Sequence, residues 1–443
     1  MTNKRTWRNW SGTVHCAPEL TVRPRSVRDM ASVVRDAGST GRHVRARGAG
    51  HSSTELAASD DVVLDLSSWS GVEHVDEEAC LATVRSGTTL RRLNAELDAL
   101  GLAMANLGDI DRQTVAGAIS TATHGTGLRV PGLSSQVRAL ELVRADGSVV
   151  RCSAGEHPEL FAAARAGLGA VGVITRVTLA VVPSFSLSAR EFAEPVERVL
   201  ARFADYAKEN RHFEFYWFPH GRNALVKLHN ELPAGTRPRP LHPARHWFEY
   251  ELLENSAFGS LCGLAKVVPA TVRPLNRLCS ALLSTRSYSD RSHRVLTTNR
   301  RVRFVECEYA VPYESVHDVF DAVRAEVARR RLPVMFPAEV RVAPEDDVWL
   351  SPAYGRTTAY ISVQQAVGLP YREYFELFQA IAAAAAGRPH WGKTHSMDGT
   401  ALAERVPMLD AFRRVRAAAD PDGVFGSPYL DRLLGTPARA EVR

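Results

Sequence analysis

The segment Gly167-Leu168-Gly169-Ala170-Val171-Gly172 spells the G-x-G-x-x-G of a dinucleotide-binding turn letter for letter, yet its surroundings exclude that fold. The pattern works only where a strand enters and a helix leaves, so that the helix N-terminus meets a pyrophosphate. Here the order is reversed. A helical pattern, His157–Ala166, precedes the glycines, and a β-branched run, Val171–Val182 closed by Pro183, follows them. The glycines read instead as a helix C-cap turn, where access to positive φ is useful.

Up to Pro183 the chain alternates short β-like runs with glycine-marked turns. His43–Arg47, Val62–Leu66, Ala82–Arg85, Val137–Val143 and Val149–Cys152 predict strands; Val27–Ala37 and Thr89–Leu100, capped by Gly101, predict helices. Beyond Pro183 longer helical stretches (Pro195–Asn210, Val316–Arg331, Tyr371–Ala386) alternate with strands at Phe213–Phe218, Arg303–Val311, Val334–Val342 and Ala359–Gln365. Leu232–Pro243, rich in Pro and Arg, reads as a surface loop. At 443 residues two domains are expected, with boundaries at 1–183 and 184–386 and a C-terminal segment over 387–443.

Several function classes recede on composition. No apolar run approaches the ~20 residues that span a bilayer, and Met1–Trp10 lacks the apolar stretch of a signal peptide, so a cytoplasmic protein is expected. The cysteines, Cys16, Cys80, Cys152, Cys262, Cys279 and Cys307, stand singly and give no zinc spacing. A net charge of +6 is modest, and its arginines are interleaved with acids rather than gathered in a stripe, which argues against nucleic acid.

Four clusters carry chemistry. In Arg47-Gly48-Ala49-Gly50-His51-Ser52-Ser53, closely spaced Gly and Ser offer backbone N–H groups that make a concave anion site without a helix dipole. His51 at its edge would alone be an ordinary solvated loop histidine. The stretch Gly108–Gly127, including Asp109, Thr114, Gly117, Ser120, Thr123, His124 and Gly125, is dense in small and hydroxyl residues, so a flat ligand can approach closely. Glu339 and Arg341 alternate onto one face of a strand, which fits a solvated ion pair or a grip on a polyhydroxylated substrate. Arg388–His395 brings His390 and Lys393 together in a chain with few lysines, and the His390/His395 spacing suits no metal.

Taken in order, Gly-x-Gly-His-Ser, Ala-Thr-His-Gly-Thr-Gly, Leu-Gly-Ala-Val-Gly-Val-Ile-Thr, Glu-Val-Arg and His-Trp-Gly-Lys resemble the aldonolactone oxidoreductases, flavoproteins of the vanillyl-alcohol-oxidase type. Phe213-Glu214-Phe215 and Ala353-Tyr354-Gly355-Arg356 resemble the bacterial gulonolactone dehydrogenases most. The resemblance covers nearly the whole chain. It implies an α+β fold of two domains, an FAD-binding domain without a Rossmann helix and an α+β cap. It implies FAD carried covalently by His51, with Gly48, Ala49, Gly50, Ser52 and Ser53 around the pyrophosphate. Arg47, Thr114, Gly117, Ser120, Thr123, His124, Gly125, Val173, Ile174 and His390 would complete the cofactor cleft, and Gly108 would sit beside the flavin edge. The implied reaction passes a hydride from a carbinol carbon of a sugar lactone to flavin N5, with Glu339, Arg341 and Lys393 as catalytic residues and oxygen or another acceptor taking the electrons. Ser362 stands where alditol oxidases carry histidine, which points away from an open-chain polyol, and Asp109 replaces their serine beside the substrate. An alditol or sugar-tailoring oxidase and a non-catalytic flavin-fold binding protein are the competing readings.

Overall fold

Residues 6–436 are described by the computed structural model, so the basic start of the chain at Met1–Arg5 lies outside them. Among the described residues no helix is long and apolar enough to cross a membrane. The first 183 residues supply two main sheets. A parallel one orders Leu20–Val22, Val62–Asp65 and Val44–Arg47. An antiparallel one of five strands orders Val149–Ser153, Val137–Val143, Val173–Ala180, Leu81–Arg85 and Val72–Asp76. Local chemistry sets the element ends. Ser26 and Asp29 form a reciprocal capping box at the start of Val27–Ser39. Thr89 caps Leu90–Ala99, and Gly101 follows it at φ +71°.

The remainder builds one antiparallel sheet of eight strands, in the order Arg286–Arg291, Ser186–Pro195, Asn223–Glu231, His212–Trp217, Ala338–Ala343, Thr358–Ala366, Phe304–Pro312 and Arg388–Pro389. The period of two divides its faces. On one, Phe213, Phe215 and Trp217 pack on Phe203 and Phe320 from the helices Phe203–Glu209 and Val316–Arg330. On the other stand Glu214, Tyr216, Glu306, Glu308, Glu339, Arg341, Ser362 and Gln364. A buried sheet face this polar is costly unless its groups satisfy one another or a ligand.

Three elements differ from the sequence reading. The strand expected from Val334 begins at Ala338, since Pro337 has no N–H for the ladder. The helix expected over Pro195–Asn210 breaks into Val196–Ala201 and Phe203–Glu209. Strands Ser186–Pro195, Asn223–Glu231 and Arg286–Arg291 escaped notice because Glu191, Lys227 and Arg286 occupy buried positions where an apolar rhythm would be sought.

The Gly167–Gly172 segment is the predicted turn between helix Pro158–Ala164 and strand Val173–Ala180, with Leu168, Gly169 and Gly172 at positive φ. Its carbonyls have a use. Buried Arg45 donates to Leu168 O at 2.8 Å and Gly169 O at 3.1 Å, twice to Leu56 O, and to Phe425 O at 3.0 Å. Burial, with Arg416 nearby, pulls its pKa down to about 10, so it remains a cation held by carbonyls rather than by a carboxylate contact. Together with Val44 N to Val424 O at 2.7 Å, these bonds fasten the C-terminal segment to the first unit. Arg45→Met should strand four carbonyls in the interior and cost about 3 kcal/mol or more, given ~1–3 kcal/mol per unsatisfied group. A clearly lowered urea midpoint at unchanged far-UV circular dichroism is the expected outcome.

Candidate active site

The loop after strand Val44–Arg47 borders a cleft. Gly50 turns at φ +71°, accepts at its carbonyl from Trp10 N at 2.8 Å, and would drive a side chain into the Trp7 ring. Gly48 lies against Thr114, whose hydroxyl caps the helix Val115–Ser120 by accepting from Gly117 N. Arg47, Gly48, Ala49, Gly50, His51 and Ser52 line one wall; Thr114, Gly117 and Ser120 line another; Gly169, Gly172 and Ile174 close it. Thus the decoy glycines do border the cleft, through their turn and without a helix dipole. On its walls Arg47 Nη1 and Ser86 Oγ are buried with no partner among the described residues. A guanidinium and a hydroxyl left unpaired on the walls of one cleft fit a ligand rich in anionic oxygens, as FAD is.

A second cleft continues from the first, sharing His51, Ser52, Gln113 and Thr121 with it. The turn His390–Lys393 reaches it because three backbone bonds pin it: His390 N to Glu308 O at 3.0 Å, Thr394 N to Glu306 O at 2.8 Å, and Ser53 N to Gly392 O at 2.8 Å. Lys393 and His51, far apart in sequence, therefore face one space. Behind these lining residues lies Glu308, whose side chain is fully buried. It accepts from His124 Nε2 at 2.9 Å, Arg341 Nη2 at 3.0 Å and Lys393 Nζ at 2.8 Å. Burial works against the Glu308 anion, but Lys393, His124 and Arg341 together hold its pKa well below the ordinary value. Lys393 is likewise disfavoured by burial and kept charged by Glu306 and Glu308.

Two further carboxylates behave differently. Burial raises the pKa of Glu306, whose carboxylate lies 3.4 Å from Lys393, and of Glu339, which accepts from Tyr216 Oη at 2.8 Å. Arg341 Nε is 3.2 Å from Glu339 but too oblique for a hydrogen bond, leaving that buried N–H without an acceptor. Three carboxylates thus share two cations, Lys393 and Arg341, and the surplus falls on Glu306 and Glu339. His51 lies on the ring of Trp10 at 5.6 Å between centroids; burial, then Arg112, lowers its pKa to about 4, so its imidazole is neutral.

Of the residues singled out in the sequence, Gly108, Asp109, Thr123, His124, Glu339, Arg341, His390 and Lys393 line this second cleft. Ser53 ties the loop to Gly392, Gly125 packs against Leu107 and Asn106, and Val173 lies in the core, so these three border neither space. Asp109 is no free carboxylate: Arg300 and Thr298 bind it, and its pKa falls to about 2 although burial opposes this. Glu306, Glu308, Tyr216 and Arg300 were missed. Glu306 and Glu308 could have been found by the alternation that exposed Glu339 and Arg341. His124, Glu308 and His390 place ligating atoms within 4.8 Å of one another, but Lys393 and Arg341 already crowd that carboxylate with positive charge.

The geometry agrees with the relatives. Residues 177–433 match the family described as D-arabinono-1,4-lactone oxidase, and residues 18–153 match an FAD binding domain. The chain is 40% identical over 429 residues to L-gulono-1,4-lactone dehydrogenase of Mycobacterium tuberculosis, covering 97% of this chain and 99% of the other. It is 31% identical to L-gulonolactone oxidase of Mus musculus, with 97% and 98% covered, and 31% identical to alditol oxidase of a Streptomyces species, with 96% and 98% covered. Among solved structures a solvent-stable cholesterol oxidase superposes with a TM-score of 0.82 at 20% identity over 98% of both chains, which establishes the shared fold. With the two clefts joined at His51 and these matches spanning both units, the chain belongs to the D-arabinono-1,4-lactone oxidase family and is an FAD-dependent oxidoreductase acting on CH–OH groups.

Proposed function

We propose that the protein oxidises a carbinol group of a sugar-derived lactone, of the L-gulono-1,4-lactone or D-arabinono-1,4-lactone type, to a carbonyl. The observation that carries the reading is the buried set Glu339, Arg341 and Lys393 in the cleft that adjoins the cofactor cleft at His51. FAD, held by the residues of the first cleft, would supply the two-electron sink for the hydride leaving the carbinol carbon. The chain's own residues do the rest. Glu339, short of a full positive partner, takes the hydroxyl proton, while Tyr216 fixes its carboxylate. Arg341, with its unpaired Nε–H, orients the substrate and offsets charge on its oxygen. Lys393 is a fixed ammonium in a water-poor site, where preorganised charge counts most. Glu308 is a positioning residue that holds both cations and His124 in place. In this reading residues 1–183 hold the cofactor, 184–386 cap it and 387–443 return Lys393 to the site.

We further propose that His51 carries the flavin covalently. A nitrogen that forms a C–N bond must offer an unprotonated lone pair, and the buried, neutral imidazole at the junction of the clefts does so. Acid-precipitated wild-type protein is expected to stay yellow, and His51→Ala to release its flavin on denaturation; free flavin in the wild-type supernatant contradicts the link.

Purified enzyme offered lactones and open-chain polyols side by side, without oxygen, should bleach its flavin with lactones first. Lys393→Met should slow that bleaching by about 10²–10³-fold, the usual loss on removing one preorganised charge or donor; an unchanged rate removes Lys393 from the chemistry.

The base is active when ionised, so bleaching should fall as pH drops through the Glu339 pKa, at a midpoint above the ordinary glutamate value because burial raises it. Glu339→Gln should lower the rate by about 10²–10⁴-fold and abolish this acid limb while leaving flavin content intact. An acid limb that survives in the variant assigns the base elsewhere.

A further inference from the structure

Behind the catalytic cleft, in the cap, lies a cavity of about 330 Å³, at the lower end of the range of small-molecule sites. Phe218, Leu225, Phe258, Leu261 and Phe336 wall it, and Arg300 and Phe304 line both this cavity and the catalytic cleft. Its mouth is apolar as well. Leu253 and Leu282 belong to its lining and stand 44% and 70% exposed. They sit within a concentrated patch: of the eleven large hydrophobic side chains exposed among the described residues, eight fall between Trp247 and Leu282. Such clustering marks a functional surface more often than chance exposure does. A run of aromatic contacts leads inward, from Phe218 to Phe258 at 5.9 Å, Phe336 at 5.0 Å, Phe304 at 5.1 Å, Trp10 at 5.1 Å and finally His51 at 5.6 Å.

A sugar lactone, dense in hydroxyls, gains little from these walls. The reaction has one other small reactant, the electron acceptor. We propose that this cavity is the binding site of a planar, uncharged acceptor of the quinone class, which enters through the Leu253/Leu282 mouth and stops at the Arg300–Phe304 partition. The site rests on the oxidoreductase reading and does not depend on which sugar is oxidised. Oxidation of CH–OH to C=O releases two electrons and two protons, and a quinone takes up both pairs in becoming a quinol, so the exchange balances without another reactant. Phe336 and Phe304 offer rings for stacking. Arg300, paired with Asp109 at 2.7 Å, supplies a cationic N–H donor for a quinone oxygen at the inner end.

The test uses flavin-loaded enzyme reduced anaerobically with dithionite, so that no sugar is needed, then mixed with menadione or with ferricyanide in a stopped-flow instrument. Ser284→Trp and Leu282→Glu alter exposed positions of the cavity lining and touch none of the catalytic side chains. Both variants should reoxidise at least tenfold more slowly with menadione and at the wild-type rate with ferricyanide. Calorimetric affinity of the oxidised protein for menadione should fall at least tenfold in parallel. Menadione rates and affinities equal to wild type in both variants, or an equal loss with ferricyanide, overturn the proposal. A mistaken lactone assignment shows itself separately, as failure of lactones to bleach the flavin before any acceptor is added.

Discussion

The carboxylate of Glu308 is the contact on which the site depends. A glutamate anion with a fully buried side chain is among the more expensive groups a fold can carry, and it persists only if its lone pairs are met by charge. Here the donors arrive from three separate stretches: His124 from the cofactor unit, Arg341 from the neighbouring sheet region, and Lys393 from the returning C-terminal turn. Each is itself a buried cation or imidazole that would be destabilising alone. The four groups offset one another's burial, and their contact gathers residues from three distant parts of the chain.

That arrangement separates two kinds of carboxylate on one sheet face. Glu308 lies closest to the cations and is held ionised. Glu339 and Glu306 receive what remains of the positive charge and drift towards protonation. A fixed anion and carboxyls with raised pKa values thus arise from the same residue type on one sheet face, the distinction resting on contact with Lys393, His124 and Arg341. Asp109, paired with Arg300 and held ionised, is one of the anions that raise the Glu339 pKa.

Much of this was legible in the residues, and the limits are instructive. The strand Val137–Val143 has the predicted bounds because it is apolar on a buried sheet and punctuated by turns. The reversed order around Gly167–Gly172 correctly ruled out a Rossmann unit. The turn's second job, holding Arg45 with its carbonyls, was invisible, since backbone acceptors leave no mark in a sequence. The resemblance and the strand period together placed Glu339 and Arg341 in one cleft. Glu306 and Glu308 obey the same period but sit in a run with Val305, Cys307 and Tyr309, where two acids read as interruptions of a core strand rather than as its purpose. Strands with buried charges, such as Asn223–Glu231, were missed for the same reason: burial patterns are sought in apolar residues, and this cap buries ions.

The cap's eight-stranded sheet explains why such burial is sustainable. Its helix-covered face packs aromatic side chains at high density, with Phe215, Trp217 and Phe320 in edge contacts at 5.3–5.6 Å, and that packing supplies the stability the opposite face gives up. The charged face then need not stabilise the fold on its own account. It is free to hold unpaired or half-paired groups such as Arg341 Nε, which is the condition a substrate-binding surface requires and an ordinary core forbids. A sheet with one aromatic face and one ionic face therefore keeps its buried charges, drawn together by Glu308, on a single side.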